Sequence, residues 1–85
     1  MRTFRDEAGR EWVATTREEQ TPRHHGRWYL VFQPADRSSV ALPMPEVQWQ
    51  TAATGDRTLR TMSEFELQKR LAVVLGRSGG IQVSD

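Results

Sequence analysis

The sequence predicts an α+β fold, in which a small antiparallel β-meander of three or four strands carries one or two C-terminal helices on one face. Two observations predict it. In the first half of the chain, short segments rich in β-branched and aromatic residues alternate with glycine and proline. In the second half, leucine and valine recur with the spacing of an amphipathic helix.

The first strands are predicted as a hairpin over residues 2–18. Gly9 can take the positive φ of a tight turn, and Trp12, Ala14 and Thr16 fall on one face of the returning strand. The segment 18–26 contains Pro22 and Gly26 and no apolar residue, so it is predicted as a loop.

The next strand, residues 27–33, is the strongest strand prediction. Trp28, Leu30 and Phe32 point to one side, whereas Tyr29 and Val31 point to the other. Apolar residues on both faces are typical of a central strand.

Two further short strands are predicted, at 40–42 and 47–49, after a turn over 34–39. The segment Pro43-Met44-Pro45 separates them and is restricted to extended geometry. Because proline cannot donate a ladder hydrogen bond, this segment is expected at a sheet edge or outside the sheet.

The second half opens with a predicted short helix at 56–62. The main helix begins with the capping box Ser63–Glu66, flanked by Met62 and Leu67 as a hydrophobic staple. Gly76 is predicted to end it. Residues 1–76 would then form one domain and residues 77–85 a flexible tail. The predicted core consists of Phe4, Trp12, Trp28, Leu30, Phe32, Val40, Leu42, Leu59, Leu67, Leu71, Val74 and Leu75.

Composition excludes several classes of function. Twelve basic and eleven acidic residues give a net charge of +1, which does not favour binding to polyanions by bulk charge. Eleven of the twelve basic residues are arginine, a bias typical of GC-rich bacterial genomes. The chain has no cysteine, which favours a reducing, cytoplasmic compartment. Its longest apolar runs have five residues, so no transmembrane segment is predicted.

Catalytic and metal sites find little support. His24 and His25 are adjacent in a predicted loop, whereas metal sites need three or four ligands at definite spacing. The serines lack the context of a nucleophile, and no pair of carboxylates is brought together by the predicted fold. We therefore predict no enzyme activity, no metal, no cofactor and no small-molecule substrate.

The predicted helix has a second, outward side. Phe65, Lys69 and Val73 follow one another at every fourth residue, away from the Leu67–Leu71–Val74 stripe. Exposed apolar residues that form a contiguous patch mark binding surfaces. Met44, between its two prolines, is a further candidate, because rigid extended segments dock at low entropic cost.

A basic loop gives an alternative function. Arg23 and Arg27 flank the histidines, and Tyr29 offers a ring for base stacking. These three residues are the predicted contacts of an RNA- or ribosome-associated protein. The nearby acids Glu18 and Glu19 oppose this field, so nucleic acid is the less favoured partner.

The sequence as a whole predicts a small non-enzymatic protein–protein interaction module. It would act as an accessory or stabilising subunit of a larger complex, contacting it through Phe65, Lys69, Val73 and Met44. A membrane-associated complex is compatible with this prediction, since such a subunit needs no span of its own.

Overall fold

The computed structural model describes residues 1–19 and 26–83, with side chains as far as residue 77. The elements in order are β1 (Arg2–Arg5), β2 (Glu11–Glu18), β3 (Trp28–Pro34), β4 (Leu42–Trp49), α1 (Ala52–Thr61) and α2 (Glu64–Val83). The four strands form an antiparallel sheet in the order β1-β2-β3-β4. Both helices contribute to a single core on one face of it. The predicted α+β meander is confirmed.

The β1–β2 hairpin closes around Asp6 and Gly9. The N–H of Asp6 donates to the carbonyl of Arg10 at 2.9 Å, and the N–H of Gly9 donates to the carbonyl of Asp6 at 3.0 Å. Gly9 has φ +87°, the left-handed conformation that glycine adopts without strain. This turn sets the register that pairs Phe4 with Trp12 on the helix-facing side of the sheet.

The core lies between that face and the helices, and most of its predicted members are buried there. The buried cluster consists of Phe4, Trp12, Ala14, Leu30, Phe32, Met44, Leu59, Leu67, Leu71 and Val74. Four predicted core residues differ, and one of them, Leu42, is only partly buried against the cluster. Val40 is 79% exposed because it lies in the loop before β4, Leu75 is 39% exposed, and Trp28 is half-buried.

Strand β4 replaces the two short strands that the sequence predicts. It pairs with β3 as an edge strand, with a register shift at Tyr29/Leu30. Leu30 pairs with Met44, whereas Tyr29 pairs with Gln48, so residues 45–47 form a bulge. This register turns the Met44 side chain into the core, where it is 5% exposed. The prediction of Met44 as a surface contact is therefore wrong.

Helix α1 begins earlier than predicted and packs closely on the sheet. Thr51 caps it, its hydroxyl accepting from the N–H of Thr54 at 3.1 Å. A Cβ at Gly55 would lie 2.8 Å from both Thr16 Cγ2 and Trp49 Cε3. Only glycine allows this approach between helix and sheet.

Arg2 holds the carboxyl end of α1. Its guanidinium donates to the carbonyl of Arg60 at 3.0 Å and to that of Met62 at 2.9 Å. Its third carbonyl contact, with Leu59, is 3.4 Å. These carbonyls lie at the end of the helix, where a cation also opposes the negative pole of the helix dipole.

Helix α2 begins as predicted and ends later. The Ser63 hydroxyl accepts from the N–H of Glu66 at 3.1 Å. The Glu66 carboxylate does not complete the capping box but forms an ion pair with Arg70 at 3.0 Å. The helix continues through Gly76 to Val83, so the predicted stop is wrong. Gly76 does not adopt the positive φ that ends helices, and a glycine inside a helix costs only about 1 kcal/mol.

Both edges of the sheet are partly blocked to a further strand. At β1, the Arg5 N–H donates to the Glu64 carboxylate at 3.4 Å, and the Arg5 carbonyl accepts from Gln68 at 2.7 Å. At β4, Pro43 and Pro45 remove two N–H donors and the bulge breaks the ladder. Prolines, bulges and covering elements are the usual means of preventing strand addition.

Candidate functional site

The outer side of α2 exposes apolar side chains. Phe65 is 67% exposed, Val73 is 48% exposed and Leu75 is 39% exposed, whereas Leu67 and Leu71 on the inner side are buried. Residues four apart lie on the same side of a helix, which places Lys69 between Phe65 and Val73. We call Phe65, Lys69, Ala72 and Val73 the outer α2 face, and Leu75, two residues after Val73, lies at the edge of the buried stripe.

Phe65 and Lys69 contact each other on this surface. The Lys69 ammonium lies over the Phe65 ring, 5.5 Å from the ring centroid. Within residues 1–19 and 26–77, no carboxylate is close enough to form an ion pair with Lys69. The charge is therefore available to a partner.

A groove runs along one side of the outer α2 face, between the helix and the β1–β2 turn. Its volume is about 180 Å³ and its shape is open to solvent. Leu71, Ala72 and Leu75 line it from the helix, and Ala8 lines it from the turn. The Gln68 side chain, which donates to the Arg5 carbonyl, fixes the helix against β1 at one end of this groove.

The acidic side chains Asp6 and Glu7 complete the groove. The carboxylate of Asp6 accepts from Trp12 Nε1 at 2.9 Å and from the N–H groups of Ala8 and Arg10, both at 2.9 Å. These donors, Trp12 first, lower the pKa of Asp6 below its usual value, so Asp6 remains ionised. Glu7 is exposed and has no ion partner among the residues described.

The basic loop is described only in part. Arg23, His24 and His25 lie outside the described residues. Arg27 is exposed and Tyr29 is half-buried, directly across from Arg17 in the ladder. The Arg27 backbone carbonyl accepts from the N–H of Glu19 at 2.8 Å, which brings an acidic residue beside the arginine.

No metal cluster or membrane helix is found in the part of the chain that the structure describes. No group of three or more histidine, cysteine, aspartate or glutamate side chains there could hold a metal ion. Neither helix, over its described length, combines the length and hydropathy of a membrane span. Two of the serines make local structural contacts: the Ser63 hydroxyl caps α2, and the Ser38 backbone N–H donates to the Asp36 carboxylate at 3.0 Å.

Sequence reasoning identified part of this surface. The spacing of Phe65, Lys69 and Val73 predicted their outward position, and the structure brings the three together on one side of α2. The groove and Leu75 were missed. Leu75 continues the apolar stripe in the sequence but lies at the edge of the buried stripe in the structure. The groove was missed because the turn that lines it lies more than 60 residues before the helix, as the Gln68–Arg5 contact with a separation of 63 shows.

Comparison of this chain with protein-family models, with curated proteins and with solved structures finds no match. The functional assignment therefore depends on the contacts of the chain itself.

Proposed function

We propose that this chain is a small protein–protein interaction module, an accessory or stabilising subunit of a larger complex, which binds its partner through the outer α2 face. The observation that carries the proposal is the exposure of Phe65, at 67%, and of Val73, at 48%, on the same side of α2. Large apolar side chains that share one exposed surface are typical of binding sites.

The other helix supports this assignment. The outward residues of α1, which packs on the same face of the sheet, include Thr54, Arg57, Arg60 and Thr61. Apart from Ala53, the exposed side chains of α1 are therefore polar, whereas those of α2 include Phe65, Val73 and Leu75. A small domain does not require the second arrangement for its own stability, because those side chains remain in solvent.

The partly blocked sheet edges disfavour binding by addition of a strand. Partners that add a strand need free backbone donors and acceptors at an edge. Here side chains of α2 bind the Arg5 backbone at one edge, and prolines interrupt the other. Packing against a helix face is the mode that the described surface favours.

The test is reconstitution of the complex from purified components. The chain is isolated from its source cell under gentle lysis, its partner is identified by mass spectrometry, and the purified pair is titrated by calorimetry. Phe65→Ser combined with Val73→Glu should weaken binding at least about a hundredfold, since central apolar contacts contribute about 2 kcal/mol or more each. The melting temperature should hardly change.

Val40→Ser is the matched control, because Val40 is 79% exposed and lies in the loop before β4. It removes an exposed apolar side chain elsewhere and should leave the affinity unchanged. Equal loss with Val40→Ser, or no loss with the double variant, would remove the outer α2 face from consideration.

Nucleic-acid binding is a second proposal. Arg17 and Tyr29 are cross-strand neighbours, and Arg27 lies two residues before Tyr29. Binding through such residues releases counterions, so the affinity for a single-stranded RNA should fall steeply with salt and fall further in Arg27→Ala. An affinity that is flat between low and moderate salt would exclude this function.

A further inference from the structure

We propose that the groove between the β1–β2 turn and α2 receives a basic segment of the partner protein, which inserts one apolar side chain and places a lysine or arginine against Asp6 and Glu7. The inference rests on the proposed function, because it names the chemistry of the partner beside the outer α2 face. Ala72 belongs to that face and also lines the groove, so a segment bound along the face reaches the groove.

The groove is lined by apolar side chains and has room for one more. Its volume is about 180 Å³, and apolar cavities of about 150 Å³ accommodate a benzene ring. Leu71 and Leu75 lie one turn apart on its helix side. Ala72 and Ala8 are exposed and end at Cβ, which leaves the space between helix and turn open. The groove therefore suits a single side chain of the size of leucine or phenylalanine.

The rim of the groove is acidic. Asp6 and Glu7 line it, and no described lysine or arginine does. Glu64 adds a third carboxylate on the same flank of α2, one turn before Gln68, where it accepts the Arg5 N–H at 3.4 Å. None of these three carboxylates forms an ion pair with a residue in the described part of the chain.

Other carboxylates on or beside the helices are paired within the chain. Glu66 forms an ion pair with Arg70 at 3.0 Å, on the flank of α2 that lies away from the groove. Arg77, on that same flank, pairs with Glu46 of β4. The groove flank is thus acidic without a described cation of its own, and a cation on the partner would complement it.

The cations that neighbour the groove in sequence are directed elsewhere. Arg10 donates to the Ser38 hydroxyl. The Arg5 side chain lies on the face of the sheet opposite the helices, because side chains alternate along β1. Lys69 lies about 100° around the helix from Gln68, outside the groove. The acidic rim therefore favours a basic segment over an acidic one or a polyanion.

The first experiment titrates the isotope-labelled chain with a short amphipathic peptide of leucine and lysine and follows the amide signals by NMR. Signals of residues 6–8 and 68–75 should shift, with a Kd below about 1 mM. The same peptide with glutamate in place of lysine should bind at least about tenfold more weakly, because it brings like charges to Asp6 and Glu7.

Variants then test the charge and the shape of the groove. Glu7→Lys should raise the Kd of the leucine–lysine peptide about tenfold, since it reverses an exposed charge at the rim. Ala72→Leu should weaken binding to a similar extent, because the larger side chain fills the groove. Glu18→Lys, the same charge change at the other end of β2, is the control and should leave the Kd unchanged.

Three results would overturn the inference: shifts outside the groove, equal affinity for the two peptides, or a Kd that Glu7→Lys leaves unchanged. Shifts that appear when the chain alone is concentrated would identify a second copy as the occupant and would also overturn it.

Titration of the purified partner separates this inference from the proposed function. Glu7→Lys should raise the Kd for the partner about tenfold as well. If only Phe65→Ser/Val73→Glu weakens that binding, the proposed function stands and the basic segment is rejected. If neither variant weakens it, both are rejected.

Discussion

The two helices of this molecule pack on the same face of the sheet and use their residues differently. Helix α1 has 10 residues, a polar outer side and a buried glycine against the sheet. Helix α2 has 20 residues, buries Leu67 and Leu71, and exposes Phe65 and Val73 on the opposite side. Since α1 exposes mainly polar side chains, the exposed apolar residues of α2 do not follow from the small size of the chain.

The largest predicted effect is on the free energy of unfolding, and it should distinguish the inner side of α2 from its outer side. Leu71 is 1% exposed, and Leu71→Ala should lower the free energy of unfolding by about 2–5 kcal/mol, because it leaves a cavity in the core. Val73→Ala should change it by less than about 0.5 kcal/mol. Urea denaturation of both variants checks the prediction. A comparable loss in both would mean that α2 has no free outer side.

The next comparison uses one glycine from each helix. Gly55→Ala should destabilise the domain by about 1–3 kcal/mol, because the new methyl group overlaps Thr16 and Trp49. Gly76→Ala meets no atom within 4 Å and should stabilise α2 by about 0.5–1 kcal/mol. Thermal denaturation of the two variants measures both signs. Stabilisation by Gly55→Ala would contradict the close packing of α1.

A smaller effect concerns the end of α1. Arg2→Ala removes the donor to the carbonyls of Arg60 and Met62 and should cost about 1 kcal/mol. Arg2→Lys keeps the charge but offers a point donor instead of a planar fork, so it should recover only part of this. Amide exchange at the last turn of α1 should quicken in Arg2→Ala, while α2 stays protected. An equal rise in the amide exchange rate of both helices would argue against a local role of Arg2 at the end of α1.

The smallest effect is the pH dependence at the groove. The pKa of Asp6 is lowered in the folded chain, chiefly by the Trp12 side chain, so ionised Asp6 stabilises the fold above its unfolded pKa of about 3.9. That contribution is lost as the pH falls through the lower, folded pKa. Asp6→Asn should therefore melt below the native chain at neutral pH and approach it in acid. Parallel profiles for the native chain and Asp6→Asn would refute the assignment.

The sequence alone predicted the elements that depend on residues close together in the chain. The hairpin at Gly9, the inward side of β3 and the cap at Ser63 each depend on neighbouring residues and were predicted. The outward spacing of Phe65, Lys69 and Val73 is equally local, which explains why this part of the surface was found.

What escaped prediction depends on distant contacts. Met44 was assigned to the surface because of its flanking prolines, but pairing with Leu30 across the bulge turns it inward. Leu75 was assigned to the core, although only the position of the sheet decides where the buried stripe ends. The groove forms because the β1–β2 turn meets α2, a contact that no periodicity in the sequence indicates.

The bond from Arg2 to Met62 spans 60 positions, which ties the start of the chain to the junction of the two helices. At a synthesis rate of roughly 5–20 residues per second, Met62 is made about 3–12 s after Arg2. The first strand can therefore pair with β2 early, but it acquires its final anchor only when α1 is complete. Contacts of such long range slow folding, and they also make the ends of α1 and β1 unfold together.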